Sequence, residues 1–197
     1  MKKLSMIVIA ILAAVLYSTP AKADVAGILN ISNCTGGGVT ISATTITWSP
    51  GGACSTPGTN ATTAPGTNVT YNGGGPLIPN VDGVLQNLTI GGGSILNFMT
   101  FPSNPNLHFD LTSIGPGVAN TNCMVSPGQS CSISAGSPFI LTANQNGTTT
   151  ITFSVAGGAR DLSGSSGSWM GSFTSQLAVM TPAQIQNLLL GGGNLIT

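Results

Sequence analysis

The stretch "NLHFDLTSI" at 106–114 sets His108 two residues from Asp110. On a strand such residues share a face, so the two could work as a base and the carboxylate that orients it. Acyl transfer would also need a nucleophile and an oxyanion hole, and the chain has no G-x-S-x-G. The "GSSG" at 164–167 reads as a turn. His108 and Asp110 therefore read as a surface histidine beside a carboxylate. Arg160 and Asp161 are the second candidate. Arg160 could grip an external carboxylate or sulfate, but an unpaired arginine would be isolated in so uncharged a chain. It is expected to serve as a structural ion pair, with Asp161 or with Asp110.

Trp48, Trp169 and Tyr71 could together offer a stacking platform to a sugar ring. Trp48 alternates with Ile46, and Trp169 lies close to Phe173, so packing is the expected fate of both tryptophans. Tyr71, in a polar stretch, is the expected ligand contact. Thr-rich runs at 44–47 and 148–152 would suit an ice-binding ladder. Six N-x-S/T sequences begin at Asn30, Asn33, Asn60, Asn68, Asn87 and Asn146, a pattern that arises easily in a chain rich in these residues.

Glycine triplets recur at 36–38, 73–75, 91–93 and 191–193. A phosphate loop would pair such glycines with a lysine at the start of a helix. Each triplet here precedes a β-like run and no lysine follows residue 22, so the triplets read as turns. No cofactor is expected.

Residues 1–23 carry Lys2 and Lys3, an apolar run from Leu4 to Tyr17, Pro20 and then Ala21-Lys22-Ala23. This is the anatomy of a secretory signal peptide, with cleavage expected between Ala23 and Asp24. The apolar run is too short to span a bilayer comfortably, so no stable membrane anchor is expected once the leader is removed. The remaining chain keeps Arg160 as its one cation, against Asp24, Asp82, Asp110 and Asp161. That balance excludes a nucleic-acid groove, which needs many cations.

In an exported chain four cysteines read as disulfides. Sequential pairing, Cys34–Cys54 and Cys123–Cys131, closes two short loops. A zinc site would need closer cysteine spacing or more than the one histidine present.

The elements that must position these groups are strands. Alternation marks 38–50 and 106–114, and 138–157 reads as a hairpin around an Asn146-Gly147 turn. Residues 84–90 and 94–101 read as strands flanking a glycine triplet, and 166–180 as one more strand, weakened by Gly171. Residues 50–76 read as a long loop or a set of poor strands. "TPAQIQNLLLG" supplies one helix, with Thr181 as N-cap, Pro182 first, Gln184 closing a capping box and Gly191 at the end. The expected fold is a single all-β domain over 24–197. It is an antiparallel, jelly-roll-like β-sandwich with one short C-terminal helix.

The segments "FDLTSIG", "PGQSCS", "SPFILT" and "ARD", with "TITWSP" at 45–50, resemble the ectodomains of PEP-CTERM (exosortase-sorted) bacterial exported proteins. The resemblance implies a surface or matrix protein without catalytic activity. Family members end in a Pro-Glu-Pro motif, a membrane helix and a basic tail, and nothing follows Thr197 here. Release or periplasmic retention is therefore the expectation. A secreted or cell-envelope structural protein is the expected function, with a carbohydrate- or ice-binding module as the alternative. Expected partners are a polysaccharide or matrix and, through the short strand "NLIT" (194–197), a second copy by strand addition.

Overall fold

A computed structural model describes residues 24–49, 54–177 and 179–197. The leader expected over 1–23, with Ala23, lies outside these residues. Fifteen strands and one helix follow. They are β1 (Ala26–Ile28), β2 (Ile31–Asn33), β3 (Val39–Ile41), β4 (Thr45–Trp48), β5 (Ala61–Thr63), β6 (Asn68–Thr70), β7 (Asp82–Leu85) and β8 (Leu88–Thr89). Then come β9 (Ile95–Thr100), β10 (Leu107–Ile114), β11 (Ser130–Ser132), β12 (Ile140–Ala143), β13 (Thr149–Asp161), β14 (Ser166–Leu177), α1 (Pro182–Leu190) and β15 (Leu195–Ile196).

Strand pairing is antiparallel throughout and the fold is all-β and sandwich-like. The largest sheet has nine strands in the order β11-β12-β13-β10-β9-β7-β5-β2, with β14 also on β13. A four-stranded sheet runs β15-β3-β4-β8, and β1 pairs β6. The stretch 50–76, read as a loop or poor strands, contains the three-residue β5 and β6. Strand β13 is long because its alternation never breaks: Ile151, Phe153, Val155, Ala159 and Asp161 all face inward. One edge of β13 carries β14 over its whole length, while its other edge is shared by β12 and β10.

The core lies where the four-stranded sheet meets the nine-stranded one. Trp48 of β4 meets Phe98 of β9 at 5.9 Å between ring centroids and Phe173 of β14 at 5.6 Å. Contacts between rings then continue from Phe173 to Phe153 and Phe139, and from Phe98 through Trp169 and Phe109 to Phe101. Every Phe and Trp of the chain belongs to this one series, whose offset and edge-on geometries each add to the area term.

The helix is built as its sequence dictates. Thr181 accepts from the Gln184 amide, and Gln184 reaches back to the Thr181 amide. Its buried face, with Ile185 and Leu189, lies on the core. Gln186 Nε2 donates to the carbonyls of Thr121 and Ile133 at 2.8 Å each, pinning the helix to the segment that carries the second disulfide. No helix among the described residues is long and apolar enough to cross a membrane.

Both disulfides connect as sequential pairing requires. Cys34–Cys54 and Cys123–Cys131 each have Cα atoms 5.2 Å apart, and no cysteine among the described residues is free. Such bonds fit an oxidising compartment.

Candidate functional site

His108 and Asp110, at the start of β10, lie beside Arg160 and Asp161, at the end of β13, but these groups are used differently from the sequence expectation. Residues 160 and 161 are neighbours on β13, so their side chains leave opposite faces of the sheet. Arg160 therefore cannot pair with Asp161, and the expected ion pair between them is corrected to Arg160–Asp110. Arg160 Nε donates to Asp110 Oδ2 at 2.9 Å and Nη2 donates to Asp110 Oδ1 at 3.3 Å. Nη2 also donates to Asn97 Oδ1 at 2.7 Å, while the Asn97 amide donates to Asp110 Oδ1 at 2.7 Å. Three strands are thereby tied on one face. Burial alone would raise the Asp110 pKa. The hydrogen bond from Arg160, the Asn97 amide and the charges of Arg160 and His108 outweigh that and hold it below the ordinary carboxylate value.

His108 shares the Asp110 face, as the strand period requires, and sits opposite Arg160 in the β10–β13 register. Its Nδ1 is buried and has no hydrogen-bond partner. Asp110 has its oxygens turned to Arg160 and Asn97, so it does not orient the imidazole as a catalytic carboxylate must. The arrangement braces the sheet.

Asp161 turns inward and is 5 % exposed. Its Oδ2 accepts from the amides of Asn72 and Gly73 at 3.0 Å each. Its Oδ1 accepts from the Ser163 amide, the Ser163 hydroxyl and the Ser165 amide at 2.9, 2.7 and 2.9 Å. Burial pushes the pKa up, but donors from Ser163, Ser165 and Gly73 override it and bring the carboxyl down to about 2. One glycine triplet therefore does receive an anion, and the anion is the chain's own. The other three triplets turn the chain, with Gly36, Gly91 and Gly192 in the left-handed region that glycine adopts freely.

Tyr71 is not a free shelf. Its ring is half-buried against the core, and its hydroxyl accepts from Asn104 Nδ2 at 2.9 Å. Asn104 also donates to the Gly75 carbonyl and Asn106 Nδ2 to the Gly73 carbonyl, so Tyr71 belongs to the scaffold that shapes the 73–75 turn. Trp48 is buried, at 5 % exposure. Trp169 is only half-buried, with Nε1 donating to the Asp110 carbonyl at 2.9 Å. In the run 148–152, Thr149 points inward and donates to the Met180 carbonyl. Thr150 and Thr152 remain on the outer face, the latter 3.3 Å from the Thr174 hydroxyl. That is a short hydroxyl row rather than an extended ladder.

Sequence reasoning missed a groove along the free side of β14. Two adjoining depressions, about 400 Å³ and about 510 Å³, share Leu29–Ile31, Ser172 and Phe173 as walls. Trp169 and Phe173 line one side and the β1–β2 segment the other. No charged side chain lines either depression. The signal lay in the alternation of 166–177, where Trp169 and Phe173 share a face with Gly167, Gly171 and Ser175. Small residues between aromatics leave that face half open. Among the described residues no three His, Cys, Asp or Glu side chains gather as a metal site. No protein-family model matches the chain, and comparison with curated proteins and with solved structures finds no match.

Proposed function

We propose that this chain is an exported structural protein of the bacterial cell surface, envelope or extracellular matrix, acting through its surface rather than through catalysis. The observation that carries the reading is the use of its strongest polar groups. Arg160, Asp110 and Asp161 are held by internal partners and tie distant segments together. Two disulfides add to this bracing, and a chain stabilised in this way suits an oxidising compartment. The leader-like segment 1–23 and the resemblance to exosortase-sorted ectodomains point the same way. An extracellular or periplasmic location is part of the proposal.

A neutral-carbohydrate module is the second reading, favoured by the half-buried Trp169 and Phe173 in an uncharged groove. Fractionation of a bacterium expressing the full chain tests the first reading. The product is expected in the periplasm, envelope or medium with Asp24 at its N-terminus. Retention of Met1 on a cytoplasmic or inner-membrane product would overturn the proposal.

A further inference from the structure

Strand β14 is twelve residues long and pairs with β13 in register from Ser166 to Leu177. Its second edge has no strand partner among the described residues. Exposed edges are ordinarily protected by lysine, proline, bulges or brevity. "SGSWMGSFTSQL" has no lysine, no proline and no charge, and the β13–β14 register runs without a shift. The backbone of this edge opens onto the uncharged groove, and Met170 beside it is 87 % exposed.

The same twelve residues are complementary to themselves. When two copies of β14 run antiparallel about a two-fold axis at Gly171, Trp169 of one copy lies opposite Phe173 of the other. This happens twice, on the groove side of the sheet. Gly167 then faces Ser175, and the two Gly171 residues meet on the axis without side chains to collide. On the outer face Met170 meets Ser172, Ser168 meets Thr174, and Ser166 meets Gln176. Opposed residues in an antiparallel pair must share a face, and cross-strand aromatic pairs are favourable. A register centred on Ser172 instead sets Trp169 against Ser175 and forfeits both aromatic pairs.

We propose that a second copy of this chain seats its β14 against this edge, joining the two nine-stranded sheets through a two-fold axis at Gly171. This edge is separate from the one expected to self-associate at "NLIT" (194–197). There, β15 is already paired with β3, and Thr197 exchanges backbone hydrogen bonds with Val39. The interface is isologous, so assembly closes at a dimer.

The test uses the exported, oxidised protein. Sedimentation across a concentration series is expected to show a dimer, and Met170→Lys to weaken it by about tenfold or more through charge repulsion at the edge. A Gly171→Cys variant reads the register directly. A cysteine there has only ordinary contacts within the chain, the nearest being Val155 Cγ2 at 3.9 Å. Opposed Cα atoms on the axis lie within disulfide reach, so this variant is expected to cross-link in air. Ser168→Cys, whose partner position is Thr174, is expected not to. A wild-type protein that stays monomeric at millimolar concentration overturns the proposal. So does cross-linking through Ser168→Cys in place of Gly171→Cys. So does a monomer whose Trp169 fluorescence responds to a neutral oligosaccharide.

Discussion

Gly73 and Asp161 are 88 residues apart in the chain, yet the Gly73 amide donates to Asp161 Oδ2 at 3.0 Å. The contact joins the loop after β6 to the end of β13. It lets a buried carboxylate satisfy backbone amides that would otherwise be stranded in a tight turn.

Stability should therefore depend on acid in a defined direction. Asp161 titrates lower in the folded chain than its ordinary value of 3.8, near 2, and Asp110 is also lowered. A depressed carboxylate contributes in full above the unfolded pKa and loses its contribution as pH falls through the folded one. The melting temperature is thus expected to fall between about pH 4 and pH 2. Asp161→Asn should lower the neutral-pH value and flatten that acid limb. Thermal melts of both proteins from pH 2 to 6 measure it. An unchanged limb in the variant would remove Asp161 from the account.

At Gly157 of β13 the backbone of β10 approaches closely. A Cβ there meets the Asp110 carbonyl oxygen, which also accepts from Trp169, and stands 2.6 Å from Trp169 Nε1. Gly157→Ala is expected to cost about 1–3 kcal/mol, as overpacking against backbone does. It should also change the tryptophan emission. Urea unfolding followed by fluorescence reads both, and a neutral substitution contradicts the contact.

The disulfide Cys123–Cys131 closes a loop of sequence separation 8. Replacing both cysteines by serine is expected to destabilise the protein by about 2.5 kcal/mol on the loop-entropy account. Helix α1 should loosen with it, since Gln186 holds the carbonyls of Thr121 and Ile133. Hydrogen exchange in α1 checks the second part, and unchanged protection of α1 would separate the helix from the disulfide.

Much of the fold is legible in the residues. Alternation marks β10, β12, β13 and β14, the Asn146-Gly147 turn sets the β12–β13 hairpin, and capping residues bound α1. The β1–β2 segment escapes because "VAGILNISN" has no clean period: its strands are held by pairing with the short β6 and β5 rather than by a buried face. The partner of Arg160 was half legible. Counting in twos from the apolar Phe153 places Asp161 inside and Arg160 outside, so only the alternative with Asp110 survives. The groove was not legible, because it depends on which edges the curled sheets leave open, and strand order is not encoded in any local pattern.

The central claim is that the Arg160–Asp110 pair braces the fold. A double-mutant cycle of Asp110→Asn and Arg160→Gln, followed by urea unfolding at neutral pH, tests it most directly. The pair is partly exposed, with Arg160 at 38 % and Asp110 at 14 %, so a coupling of about 0.5–1 kcal/mol is expected. The account predicts that each single variant destabilises the protein and that the double variant loses less than the two losses added. Single variants as stable as the parent, with no coupling between them, would contradict it.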